Sequence, residues 1–124
     1  MYLRDLRAGK TQQVDVSTAG AHADEISGGP SISDNGRRVA FVSLAHNLVP
    51  GDSNEAWDVF VRDLRRGTTE RASVAANGEE ADLQSLSSWL SPSGRLVAFS
   101  SQATNLLPAD TNTTEDVFVR HLQP

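Results

Sequence analysis

The chain has 124 residues, a formal net charge of −5 and a pI near 5.0. That length suits one domain, and the acidic balance argues against a nucleic-acid partner, because phosphate binding needs a basic face. With no Cys there is neither a disulfide framework nor thiolate chemistry, and no apolar run reaches membrane-spanning length, so no membrane partner is expected.

Met1 opens directly into Tyr2-Leu3-Arg4-Asp5-Leu6, so no signal peptide is expected at the head of this chain. Tyr2–Leu6 reads as a short strand and Thr11–Ser17 as the next. A loop with Gly20, Ala23-Asp24 and Ser27 follows. Pro30-Ser31-Ile32-Ser33 is a strand ended by Asp34-Asn35-Gly36, a hairpin signal, since Asn and Gly accept the positive φ of a tight turn. Arg38-Val39-Ala40-Phe41-Val42-Ser43 is the following strand. After the loop Asn47–Asn54 come the strands Asp58–Leu64 and Thr68–Val74, joined by a turn at Arg65-Arg66-Gly67. The pairs Arg37-Arg38 and Arg65-Arg66 sit beside turns and read as solvated hairpin ends. From there the chain repeats itself. Met1–Arg66 aligns with Val59–Pro124 without a gap, at an offset of 58 residues, with about 45% of the pairs identical. Ser88–Ser91, Leu96–Ser101 and Asp116–Leu122 are therefore strands of the same kind.

The strands 38–43 and 58–64 are apolar at consecutive positions. Neighbouring residues of a strand point to opposite faces, so both faces should be buried. No long stretch carries a helical period, and Gly, Pro, Ser, Asn and Asp punctuate the chain throughout. The expected class is all-β, with β-propeller blades of four antiparallel strands, two repeats of 58 residues and a ring left incomplete by one chain. Within a single domain 1–124, residues 1–29 supply a third and a fourth strand plus an inter-blade loop. Residues 30–87 form a complete blade plus loop, and residues 88–124 form a blade without its outer strand.

Ile32-Ser33-Asp34-Asn35-Gly36, Val39-Ala40-Phe41-Val42-Ser43 and Asp58-Val59-Phe60-Val61-Arg62-Asp63-Leu64 carry a specific resemblance. They are similar to the blade of the TolB-like, WD-repeat-like bacterial propellers, and the resemblance covers essentially the whole chain. Pro92-Ser93 in place of Asp34-Asn35, and His121 in place of the strand Asp, depart from that pattern. The resemblance implies binding of a protein, peptide or small ligand at the loop faces, and a periplasmic or secreted setting.

Asp52, Asn54 and Asp58 form D-x-N-x-x-x-D, and Asp110, Asn112 and Asp116 repeat it. Oxygen ligands at alternate loop positions, closed by a later carboxylate, are what a Ca²⁺ loop uses. The pattern is not an EF-hand, because Trp57 and Glu115 hold the place of its Gly. Asp and Asn before a strand equally make Asx turns with their own backbone. Turn scaffolding is the preferred reading and a weak Ca²⁺ site the alternative. No other cofactor is expected. Asp24 and Asp82 are expected to hydrogen-bond between blades. His22, His46 and His121 do not repeat and are not at metal-ligand spacing. Trp57 and Trp89 are expected to pack between blades. Asn112-Thr113-Thr114 matches a glycosylation sequon, a match that arises easily by chance.

There is no G-x-S-x-G elbow and no Gly-rich phosphate loop, and Glu79-Glu80 falls in an exposed-loop pattern. The favoured function is thus a non-catalytic interaction or scaffold module that binds a protein or small ligand. A Ca²⁺-binding module and a hydrolase or lyase on a propeller face are the alternatives. Two blades cannot close a ring of four to eight, so assembly with other copies is expected, with three chains preferred. Thr11–Ser17 could complete the open blade of a neighbour. The third-strand sequence occurs at both ends, so the chain could equally have been cut from a longer propeller.

Overall fold

A computed structural model describes residues 1–124. It is all-β, with nine strands in three antiparallel sheets. The N-terminal hairpin pairs β1 (Tyr2–Asp5) with β2 (Lys10–Gln13). The middle sheet runs in sequence order through β3 (Ser27–Ile32), β4 (Arg38–Ser43), β5 (Asp58–Asp63) and β6 (Thr68–Arg71). The C-terminal sheet holds β7 (Ser85–Leu90), β8 (Leu96–Ser101) and β9 (Asp116–His121). The strand carrying Thr11 is thus paired within its own chain, with the strand carrying Leu3.

The middle sheet is buried on both faces, as its unbroken apolar runs require. Val39, Phe41 and Phe60 pack with Val14, Ala45 and Leu48, and Met1 and Leu3 of the N-terminal hairpin close over them. On the opposite face, Ala40, Val42, Val59 and Val61 pack against Val97, Phe99 and Leu106 of the C-terminal unit. The sheet therefore lies between the other two. Phe41 and Phe60 are direct cross-strand partners whose rings stack at 5.7 Å, and Phe99 and Phe118 repeat the pair at the same distance.

Strand limits differ from expectation in two respects: β2 and β6 end at Gln13 and Arg71, short of the expected Ser17 and Val74, and the first strands begin early. The first strand of each unit begins at Ser27 and Ser85, three residues before Pro30 and Ser88. A bulge lies between Gly28 and Ser31 and again between Leu86 and Ser88. Its extra residue takes positive φ, at Gly29 in one copy and at Ser87 in the other. The bulge accommodates Pro30 on an edge strand, where its missing N–H costs no ladder bond.

Polar contacts join the middle and C-terminal sheets at β3, β7 and the turns that follow them. Ser31 Oγ accepts from the Leu90 amide at 2.9 Å, and the Asp34 amide donates to the Pro92 carbonyl at 2.9 Å. Gly94 brings its turn so close that a Cβ there would meet the Ser33 side chain at 3.0 Å. Arg38 is buried, 6% exposed, and donates to the Gly94 carbonyl at 2.7 Å. Arg37 and Arg38 both bind Asp63. The expectation of a solvated Arg37-Arg38 end is therefore corrected, because these guanidiniums fasten one hairpin to the next. Arg65 and Arg66 are exposed as expected.

Candidate functional site

The loop before β5 is built by Asn54. Its Oδ1 accepts from the Ala56 amide at 3.0 Å, an Asx turn, while Glu55 takes φ of 53°. Since a backbone N–H can only donate, this bond orients the side-chain amide. Its Nδ2 therefore faces Asp58 Oδ2 and the Ala81 carbonyl, at 3.0 and 2.9 Å. The arrangement recurs at Asn112, whose Oδ1 accepts from the Thr114 amide and whose Nδ2 donates to Asp116, with Thr113 at φ of 54°.

Asp58 is fully buried. Its Oδ1 accepts from Ser73 Oγ at 2.7 Å, and Ser73 Oγ in turn accepts from the Val59 amide. Arg71 Nη1 lies 3.3 Å from Asp52, 3.3 Å from Asp58 and 3.1 Å from Glu80. Glu80 also accepts from the hydroxyl and the amide of Ser53. One guanidinium thus gathers three carboxylates. Burial raises Asp52, with Asp58 and Glu80 adding repulsion against the pull of Arg71, and its pKa is pushed up to about 6. Burial raises Asp58 as well, opposed by Ser73 and Arg71. The hydrogen bonds from Ser53 hold Glu80 below the usual range.

The structure brings Asp52, Asn54 and Asp58 together, but with Arg71 among them and the Asn54 oxygen committed to its own loop. Asp110, Asn112 and Asp116 share the loop geometry without a guanidinium, and Asp116 opens a half-exposed strand. A groove of about 650 Å³ runs beside Asp110, Asn112, Asp116 and Phe118. Arg71, Ser73 and Glu80 complete the first site, and none of them repeats: their partners in the alignment are Gln13, Asp15 and His22. A search for repeated residues passes over them for that reason.

Asp24 and Asp82 do not bond between sheets. Asp24 Oδ1 accepts from the His46 amide, and Asp82 accepts from the amide and hydroxyl of Thr104. Each clasps the loop entering its sheet to the loop leaving that sheet's second strand. Side chains do cross between units elsewhere: Arg62 reaches the Ser17 carbonyl, and Arg120 the Ala72 and Val74 carbonyls. Trp57 packs against the core as expected, whereas Trp89 is 57% exposed. All three histidines are exposed. No protein-family model matches the chain, and no curated protein matches it.

Proposed function

We propose that the chain is a non-catalytic β-propeller-type interaction module. Its three sheets act as successive blades, and further copies of itself cover the open end. One observation carries this reading. Val59 and Val61 are 0% and 2% exposed, covered by the C-terminal sheet, whereas their twins Val117 and Val119 are 71% and 58% exposed. The same surface is therefore core in one copy and uncovered in the other, and a repeat unit buries its apolar face only against a neighbour. The repeated polar residues support the non-catalytic part of the reading. Asn54 and Asn112 are engaged in Asx turns, Asp24 and Asp82 in loop clasps, and Arg62 and Arg120 in bonds between units. Replacing Val117 and Val119 together by Asp tests it. The doubly charged face should leave a folded chain that sediments as one copy. A variant that sediments like the parent chain would overturn the assembly.

Ca²⁺ between Asp110 and Asp116 is the second reading, favoured by two carboxylates with no guanidinium between them, although the Asn112 oxygen is committed to the Thr114 amide. It predicts a melting temperature that rises with millimolar Ca²⁺ over chelator. An unchanged melting curve removes it.

A further inference from the structure

The acidic total conceals a sharp division of charge. The four turns at one end of the sheets, 5–10, 33–38, 63–68 and 91–96, hold seven Lys or Arg against three Asp. The four connections at the opposite end, 14–26, 44–58, 72–84 and 102–116, hold twelve Asp or Glu and no Lys or Arg. A chain of net charge −5 thus presents a basic face, and the local field rather than the total decides which ligands approach it.

On that face a depression of about 150 Å³ lies between the turn after β3 and the turn after β7. Asn35, Arg37, Arg38, Ser93 and Arg95 line it, together with Pro124. It is smaller than a site for a drug-sized molecule. Asn35 Oδ1 accepts from Ser33 Oγ at 2.8 Å and from the Arg37 amide at 3.0 Å, so its Nδ2 is left as a donor. Arg37 and Arg38 share Asp63, and Arg38 directs its other N–H groups to the Gly94 and Gln123 carbonyls. Arg95 is the twin of Arg37, but its strand partner differs. Across the ladder Asp63 stands opposite Arg38, whereas His121 stands opposite Leu96. Arg95 is exposed and enters no ion pair. The carboxylate that one copy supplies to its arginines is therefore missing from the other.

We propose that this depression binds a phosphate-type oxyanion. Arg95 and the Nη1 group of Arg37 are its ion-pair partners, Asn35 Nδ2 is a neutral donor, and buried Arg38 is a countercharge behind them. A planar guanidinium fork matches the oxygens of such a group. Three guanidiniums against the one carboxylate of Asp63 leave two positive charges, which suit a dianion. Every donor belongs to an internal turn of a single chain, so the site is independent of self-assembly.

The test titrates the full chain with inorganic phosphate at constant ionic strength, with chloride as the comparison, and follows it by NMR. The amide signals of Asn35 and Arg95 should shift together and saturate with phosphate but not with chloride. Arg95→Gln should weaken binding about tenfold or more. Arg7→Gln, on the same face but in another turn, should weaken it less than about twofold. His121→Asp returns a carboxylate to the matching position and should also weaken binding. All three side chains are exposed, so the variants should fold. Vesicles of phosphatidylglycerol separate the sources of the phosphate group: binding that free phosphate reverses assigns a lipid headgroup, and no vesicle binding assigns a soluble phosphate. Shifts that never saturate, or equal losses from R95Q and R7Q, would mean diffuse attraction to the basic face and overturn the site. Affinity unchanged by H121D overturns it as well.

Discussion

The middle and C-terminal sheets share a sequence pattern, a register and an aromatic pair, yet they stand in different surroundings. β4 and β5 are buried on both faces, while β9 alternates between half-buried and exposed along its length. Val59 and Val117 differ only in what lies over them. Burial here is thus a property of the stack and not of the strand. The same holds for charge. Asp58 is fully buried beneath Arg71 of β6 and Ser73 just beyond it, and Asp116 stays half-exposed without them.

Substitutions at matched positions sharpen this contrast, and the largest effect belongs to the aromatic pair. Phe60 is fully buried and Phe118 partly so. Phe60→Ala should cost about 3–5 kcal/mol in urea unfolding, and Phe118→Ala clearly less. Equal costs would mean that the C-terminal sheet is covered as fully as the middle one.

Arg71 comes next. Arg71→Ala leaves Asp52 and Asp58 buried without a cation and should destabilise by about 3 kcal/mol at neutral pH. Asp116→Asn, at the matching open site, should shift stability by less than about 0.5 kcal/mol. The Arg71 effect should shrink below pH 6, where Asp52 takes up a proton.

The pH profile follows from two carboxylates with opposite shifts. Burial opposes the ionised form of Asp63, but hydrogen bonds from Arg37, the Arg66 amide and Arg38 outweigh it and hold the group down to about 2. Its contribution is present above the unfolded value near 4 and is lost as pH falls toward 2. Asp52, pushed up to about 6, behaves in the opposite sense: the folded state favours its proton, so stability falls as pH rises from about 4 to about 6. Thermal melting should therefore peak between these limits, and D52N should flatten the decline on the alkaline side. A D52N profile that matches the parent chain would remove Asp52 as its cause.

The smallest effect is at the bulge. Gly29 and Ser87 occupy the same positive-φ position, with φ of 57° and 53°. A left-handed backbone costs an L side chain about 1 kcal/mol or more. Ser87→Gly should therefore stabilise by up to about 1 kcal/mol, and Gly29→Ser should do the reverse. Near-zero shifts at both positions would show that the positive φ costs a side chain nothing at this bulge.

The sequence was most legible where the repeat and the pleat agree. The strand at 38–43 was placed to the residue, because apolar runs bounded by Asn-Gly turns and loop signals leave little freedom. The turn at Asp34-Asn35-Gly36 also forms as read, with Gly36 at φ of 67°. The early start of β3 was hidden by Gly28-Gly29, which reads as loop until the bulge explains it. The carboxylate loops were legible as turns. The guanidinium that fills one of them was not, because Arg71, Ser73 and Glu80 stand at positions where the copies differ. Burial of Arg38 was missed for a related reason. Its partners, Asp63 at the end of β5 and the Gly94 carbonyl in the turn after β7, are distant in sequence, and nothing local announces them.

The mass of the folded chain in solution tests the central claim most directly. A single copy weighs 13.3 kDa. If the face bearing Val117 and Val119 is core that awaits a neighbour, light scattering at micromolar concentration should return a defined multiple of that mass. A stable, monodisperse species of one-copy mass across the same range would contradict the account.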